Sequence, residues 1–325
     1  MSEAVVSTRI RLARNLKDYP FPIRLPADKA CEIVDKVGEA LKDSDIRFHR
    51  IDLDSVSDAI RVAMIERHLV SPDFISAKEG RAVFLSDDNA ISIMVNEEDH
   101  IRLQVIKDGF EPDEAFKIAN EIDNILSKKL AFAFHKRLGY LTQCPTNLGT
   151  GMRASVMLHL PALEMSGAVY RIGANLSKLG LTMRGLYGES TKPAGAFFQL
   201  SNQVTLGISE KAAIENLRNI TTQLIAQEMR ARETALSKIE LEDRIHRALG
   251  TLKSALLMDH NEAMTLLSLV RLGVSAKKLE TLSTDSIDRL IVEIQPASIM
   301  TRFGEDLSPR DRDIKRAEII RKRFE

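Results

Sequence analysis

Arg81-Ala-Val-Phe-Leu-Ser86, Asp87-Asp88-Asn89, Ala90-Ile-Ser-Ile-Met-Val95: two short apolar runs flank three turn-forming residues. Aliphatic and β-branched runs of this length around Asp and Asn predict a β-hairpin, because those residues tolerate the tight backbone that reverses a strand. Ile101-Arg-Leu-Gln-Val-Ile106, closed by Asp108-Gly109, predicts a third strand. Hairpin connections make neighbouring strands antiparallel. Outward from this point the period changes. Residues 27–42 place Ala30, Ile33, Val34, Val37 and Leu41 on one helical stripe, and residues 55–70 and 112–134 are expected to be helical too, the latter opened by Glu111-Pro112-Asp113. Further strands are expected at 153–160, 168–172, 181–187 and 196–200. Ser209-Glu210 caps a helix reaching about residue 236, and helical periodicity continues almost to Glu325. The fold class is therefore α+β: an antiparallel sheet flanked by helices in residues 1–232, followed by an all-helical domain in residues 233–325. Ile239, Leu241, Ile245, Leu249 and Leu252 are expected in the core of that second domain.

A chain of 325 residues suits about two domains, and 44% hydrophobic with 28% charged residues is ordinary globular composition. Lys plus Arg and Asp plus Glu number 46 each, so no global field draws the chain to nucleic acid or to an anionic membrane. No apolar run reaches membrane-spanning length, and Met1 to Arg14 lacks a signal-peptide core. Cys31 and Cys144 make neither a metal spacing nor a disulfide framework, which places the chain in a reducing, cytoplasmic compartment. Cys31 lies within a helical apolar pattern and is expected to be buried.

Five arginines stand where packing does not call for them. Arg9 and Arg11 alternate along a strand and share a face; Arg102 follows Asn96-Glu-Glu-Asp-His100; Arg153 ends a turn-rich loop; Arg184 precedes Gly185. Each alone reads either as a solvated, salt-bridged arginine or as an anion ligand, since the guanidinium fork matches phosphate oxygens and keeps its charge. The glycine-rich phosphate loops and the His-Arg-Asp kinase loop are absent, so a bound nucleotide would have to be clamped by side chains.

Ser7-Thr-Arg-Ile-Arg11, Asn96-Glu-Glu-Asp-His-Ile-Arg102, Cys144-Pro-Thr-Asn-Leu-Gly-Thr-Gly-Met-Arg153 and Arg184-Gly-Leu-Tyr-Gly-Glu189 occur in that order. Together they resemble the ATP:guanido phosphotransferases, the arginine and creatine kinase family, and the Cys-Pro-Thr-Asn-Leu-Gly-Thr block is the specific one. Within the family, Arg9-Ile-Arg-Leu-Ala-Arg-Asn-Leu16 with Tyr19-Pro-Phe-Pro22, and Ser201-Asn-Gln-Val-Thr-Leu-Gly207, are similar to the bacterial branch that phosphorylates arginine side chains of proteins. The helical domain that precedes the catalytic domain in phosphagen kinases has no counterpart here, and a C-terminal helical domain stands in its stead. The chain also begins later than that branch leads one to expect, which would leave the first strand without a neighbouring segment.

The resemblance implies a phosphagen-kinase-like catalytic domain in residues 1–232. It implies ATP with Mg²⁺ held by phosphate oxygens and water, and a clamp of Arg9, Arg11, Arg102, Arg153 and Arg184. Glu98 is implied as base and positioning group, with Glu189 as second carboxylate and Cys144 as a helper whose thiolate the arginines favour. Without the resemblance Cys144 reads as a structural thiol. Glu97, Asp99 and His100 read as support, and His68 as a helix-terminal structural residue or a contact to the nucleotide base. Ser308-Pro309 predicts a helix start. Within that helix Arg312, Asp313 and Arg316 resemble the branch's phosphoarginine-binding motif, although by spacing alone they read as a solvated basic helix. The family further implies protein substrates with exposed arginines, a zinc-binding activator protein, a Clp-type protease and a homodimer or higher oligomer. Two other functions stay open: a kinase for a free guanidino compound, and an inactive phosphoarginine-binding adaptor.

Overall fold

The computed structural model describes residues 3–76, 79–185, 194–304 and 306–325. The chain runs through β1 (Val5–Arg14), α1 (Ala27–Leu41), β2 (Phe48–Asp52), α2 (Asp58–Glu66), β3 (Ala82–Ser86), β4 (Ile91–Val95), β5 (Ile101–Asp108) and α3 (Pro112–Lys129). The short pair β6 (Phe134–His135) and β7 (Gly139–Tyr140) leads to β8 (Met152–His159), α4 (Pro161–Met165), α5 (Ala168–Leu176), β9 (Leu181–Gly185) and β10 (Phe197–Asn202). Helices α6 (Glu210–Leu236), α7 (Ile239–Ser254), α8 (His260–Ser275), α9 (Thr284–Glu293), α10 (Pro296–Phe303) and α11 (Pro309–Phe324) complete it. Hydrogen-bonded neighbours in the main sheet run β2-β3-β4-β5-β1-β8-β10-β9. The expected hairpin is present, with Val83 opposite Met94 and Ile93 opposite Leu103 in antiparallel register.

Two compact units divide the chain: Ser7–Ser155 with Ser201–Arg218, and Met1–Val6 with Val156–Leu200 and Asn219–Glu325. The residue 232/233 boundary read from the sequence falls inside α6. In the first unit, strand alternation sends Ile10, Leu12, Leu103, Val105 and Ile93 to one face, all essentially inaccessible. Against that face lie α3, which buries Ala115, Ala119, Ile122 and Leu126, and α1, which buries Ala30, Ile33, Val34, Val37 and Leu41. Pro112 at the first turn of α3, acids beside it and Lys128 and Lys129 at the far end match the needs of the helix termini. A smaller cluster of Leu53, Met64, Leu69, Phe74, Val83, Leu85 and Met94 covers the other face of β3 and β4. Past it, on β5 and β1, that second face becomes polar.

The second unit has its own core, built from Leu241, Ile245, Leu252, Leu267, Leu290, Ile299 and Ile320 among others. Buried ion pairs brace it: Arg271 holds Asp288 with two hydrogen bonds of 2.7 and 2.8 Å, and Glu228 takes Arg232 at 2.7 Å together with the amides of Ala162 and Leu163 at the start of α4. Ile239, expected in this core, is 71% exposed.

Three other expectations give way, and one strand was not foreseen. Residues 168–172 are helical, in α5, where Val169 and Leu176 bury one face seven residues apart; a short apolar run does not by itself separate the two periods. Strand β2, at the sheet edge, buries none of its residues fully and gave no apolar pattern. α3 stops at Lys129, because Leu130 turns extended and leads into β6. Cys31 is exposed: the stripe Ala30, Ile33, Val34, Val37 turns it outward. Among the described residues no helix is long and apolar enough to cross a membrane.

Candidate active site

On the polar face of the first unit's sheet, β1 presents Arg9 and Arg11 while Ile10 and Leu12 fill the core behind them. Gln104 of β5 sits opposite Arg11, and Arg102 opposite Ala13, so register alone sets Arg102 diagonally beside Arg11. Arg153 comes from β8, with its guanidinium 3.4 Å from the Ser201 hydroxyl of β10. The charges feel one another. Burial, then Arg102 and Arg153, lower Arg9 to about 10. Burial and the other three arginines drive Arg11 well below its ordinary value, with Glu97 opposing them. Arg11 Nε is buried without a hydrogen-bond partner among the described residues. Guanidinium groups keep their protons, so this crowding is a standing demand for anionic oxygen. A triphosphate meets it.

Beside this cluster, the acidic turn is set by Asn96, whose backbone is left-handed (φ 65°) and whose amide donates to the carbonyls of Ala30 (2.9 Å) and Gly80 (2.7 Å). Glu97 is buried and ion-paired with Arg102 at 2.5 Å; it also accepts from the Ser71 hydroxyl and the Glu98 amide. Burial alone would raise its carboxyl, but the Arg102 charge and these hydrogen bonds hold it below the usual range. Glu98 stays partly exposed, with Asn147 Nδ2 3.4 Å from its carboxylate. Buried Asp99 accepts from Asn15 (2.6 Å) and from the Gln143 amide (2.7 Å); burial and, less strongly, the adjacent glutamates raise its pKa despite those bonds. His100 accepts from the Leu16 amide at 3.0 Å and donates to the Pro20 carbonyl at 2.9 Å; burial pushes it down to about 4, so it is neutral at pH 7. Glu97, Asp99 and His100 each thus hold a neighbouring side chain or backbone group.

The Cys144 loop is tied to that turn through Gln143. Cys144 Sγ lies 3.0 Å from the Thr146 hydroxyl, and Thr205 Oγ1 lies 2.9 and 2.7 Å from the carbonyls of Thr146 and Leu148. Two glycines let the loop close. A Cβ on Gly149 (φ 113°) would stand 2.3 Å from the Thr205 carbonyl oxygen, and one on Gly151 (φ 62°) 2.6 Å from that of Ala13. Asp99–Gln143 therefore connects the neighbours of Glu98 and Cys144 across the gap between two loops. Composition gave no sign of the roles of Ser71, Asn15, Gln143 and Thr205, because each acts through a partner distant in the chain.

His68 lies just past the Arg67 cap of α2 in a left-handed conformation (φ 59°), and burial with the Arg9 charge lowers its ring to about 4. Arg184 is exposed on β9 in the other compact unit, and Glu189 lies outside the described residues. In α11, capped by Ser308 as expected, Arg312 donates to the Leu307 carbonyl at 3.1 Å. Arg316 departs from a solvated basic helix: it is 1% exposed, donates to the carbonyls of Ile294 and Met258 at 3.0 Å each, and ion-pairs with Asp313 at 2.5 Å. Arg312 and Asp313 stay partly exposed above it.

Known proteins resemble this chain in sequence and in fold. The family described as ATP:guanido phosphotransferase, C-terminal catalytic domain, matches residues 29–231, and that described as protein-arginine kinase McsB C-terminal domain matches residues 238–325. A protein-arginine kinase of Halothermothrix orenii is 44% identical over 325 residues, covering 99% of this chain and 93% of the relative. One from Desulforamulus reducens is 46% identical over 331 residues, covering 99% and 92%. Among solved structures, the substrate-free duplicated taurocyamine kinase from Schistosoma mansoni has a TM-score of 0.64 at 26% identity, over 81% of this chain and 39% of that one. A lombricine kinase has a TM-score of 0.62 at 25% identity, over 70% and 67%.

Proposed function

This chain belongs to the ATP:guanido phosphotransferase family, and from that premise we propose that it transfers the γ-phosphate of ATP to arginine side chains of proteins. The carrying observation is the sheet face on which Arg9 and Arg11 lie close enough to Arg102 and Arg153 to be pushed down, with Arg102 ion-paired to Glu97, the residue before Glu98. Phosphoryl transfer needs charge neutralisation and alignment more than covalent chemistry. Arg9, Arg11, Arg102 and Arg153 hold the triphosphate; Arg184 is carried as a fifth phosphate ligand on its sequence block alone, and Mg²⁺ bound with the nucleotide would add charge neutralisation. Glu98 takes the proton from the attacking guanidinium nitrogen as that nitrogen bonds the γ-phosphorus and ADP leaves; Glu189 is carried as a second carboxylate on its sequence block alone, and Cys144 as a helper. A protein as substrate is supported by full-length relatives named protein-arginine kinase and by the match of the C-terminal domain.

Residues 1–232 are taken as the catalytic region and 233–325 as a regulatory helical domain, where Arg312 and Asp313 meet phosphoarginine while buried Arg316 holds Asp313 in place. The protein is assigned to the cytoplasm, as a homodimer or higher oligomer working with a zinc-binding activator and a Clp-type protease that removes marked proteins. Incubation with ATP, Mg²⁺ and casein, followed by mass spectrometry that preserves phosphoramidates, tests the activity. Phosphoarginine on casein, reduced about 100-fold or more by Glu98→Ala, is expected for loss of a general base. Transfer to free arginine but not to casein indicates a phosphagen kinase instead. Product absent from wild type and variant alike, with phosphoarginine still bound, indicates an inactive adaptor.

A further inference from the structure

Arg14 ends β1, and strand alternation turns it to the core side, away from Arg9 and Arg11. It is 3% exposed and holds Asp123 of α3, with Nε at 3.0 and 3.1 Å and Nη2 at 2.8 Å. That pairing by itself would make Arg14 a neutralised member of the core. The rest of the guanidinium is spent elsewhere. Nη1 donates to the carbonyls of Ala13 at 2.8 Å and Thr150 at 3.1 Å, and the flat face lies over the Tyr140 ring, 3.5 Å from its centre.

Tyr140 and Thr150 are the two feet of one loop. Between them lie Cys144 and Asn147, whose Nδ2 is 3.4 Å from the Glu98 carboxylate. Backbone hydrogen bonds of 2.8 and 3.4 Å between Tyr140 and Gly149 close the loop at its base, and the Ala13 amide donates to the Gly151 carbonyl at 2.8 Å. The base is tight: a Cβ on Gly151 would meet Arg14 Nη1 at 2.7 Å, and one on Gly139 would meet the Gly149 carbonyl oxygen at 2.3 Å. Phe132 and Phe134 stand edge-on to the Tyr140 ring, with centres 6.3 and 5.2 Å away, and hold it against the guanidinium. Inside the loop there is a single 3-10 turn, Pro145–Asn147, so the position of Cys144 is set by the loop's anchors. Thr205 and Asp99 anchor its middle; Arg14 anchors both feet. A lysine could put a charge beside Asp123, but it has neither a planar face for Tyr140 nor a fork that reaches Asp123 and Thr150 at once.

We propose that Arg14 is a positioning residue of the phosphotransfer site: one buried guanidinium, fixed by Asp123, sets the base of the Cys144 loop and through it the placing of Cys144, and of Asn147 against Glu98. The proposal rests on the protein-arginine kinase reading above. Arg14→Lys and Tyr140→Leu, singly and together, test it in Cys31→Ser protein, where Cys144 is the one thiol. Activity on casein is measured at a temperature at which circular dichroism shows each variant folded. Arg14→Lys should lower kcat by about 30- to 100-fold and Tyr140→Leu by about tenfold, the range expected when reacting groups shift by up to about 1 Å. KM for ATP should stay within about twofold, because the arginine face is untouched. The rate of Cys144 alkylation by iodoacetamide should shift by about threefold or more in both, since thiol reactivity follows its surroundings. The double variant should lose no more kcat than Arg14→Lys alone, because both changes break one contact. Should Arg14→Lys fail to fold, Tyr140→Leu decides by the same readings. Variants that melt lower yet keep wild-type kcat and alkylation make Arg14 a core ion pair only and overturn the proposal. So do single losses that multiply in the double variant, or a KM for ATP raised as much as kcat is lowered. In each of those cases the kinase reading stands; no phosphoarginine on casein with unsubstituted protein overturns that reading and the proposal with it.

Discussion

Replacing Asp99 should uncouple the two halves of the proposed catalytic centre while touching neither Glu98 nor Cys144. Its carboxylate receives Asn15 Nδ2 at 2.6 Å and the Gln143 amide at 2.7 Å, and the residue is 2% exposed. Asp99→Ala leaves two buried donors without that acceptor, each costing about 1–3 kcal/mol. Asn15 Nδ2 keeps a second acceptor, the Leu141 carbonyl at 3.0 Å, which moves its share to the low end. A loss of about 2–4 kcal/mol follows, read by urea unfolding followed by circular dichroism. Catalysis should suffer more than binding. A displacement of about 1 Å between Glu98 and Cys144 lowers kcat on the order of 100-fold, while KM for ATP stays within about twofold because the arginine face is untouched. Asp99→Asn keeps an acceptor oxygen, so it should lose less than half as much on both measures. Wild-type kcat and stability in Asp99→Ala, or an Asn variant as damaged as the Ala one, would refute the coupling.

Arg11→Ala removes a charge that the free protein holds against three others, so its stability without nucleotide should be unchanged or higher. KM for ATP in the same variant should rise about tenfold or more; a stability loss above about 2 kcal/mol with unaltered KM would contradict the clamp. In α11, Arg316→Ala should cost about 3–5 kcal/mol, since it strips buried carbonyls and Asp313 of their partner. Arg312→Ala should leave melting within a degree or two yet abolish phosphoarginine binding, measured by calorimetry; equal effects on stability would sink this division of labour. The pH dependence follows from His100 and His68, both lowered to about 4. The unfolded chain takes up their protons near pH 6.5, so the stability they contribute is complete above that pH and falls progressively toward pH 4. Urea midpoints at pH 7 and pH 5 should therefore differ less in His100→Gln than in wild type, and an identical pH response would show that His100 is not one of the groups responsible.

Much of the fold was legible because it is written in local periods. The apolar runs of the Arg81–Val95 hairpin, the stripe of α1 and the cap at Ser308 each need only neighbouring residues to act. The alternation of β1 placed Arg9 and Arg11 on one face before any partner strand was known. Reading failed where the outcome depends on what lies opposite: residues 168–172 became helix α5, edge strand β2 carried no apolar signature, and Cys31 and Ile239 turned outward from patterns that seemed to include them.

The arginine face shows the same division. From the sequence came the residue types, their blocks and the shared face of Arg9 and Arg11, because strand geometry is local and guanidinium chemistry is intrinsic. Only the tertiary structure set Arg102 diagonal to Arg11, tied Asp99 to Gln143 and buried Arg316 over Met258 and Asp313. Register, burial and long-range hydrogen bonds arise when distant segments exclude water together, and it is that exclusion which turns scattered arginines into one charged site.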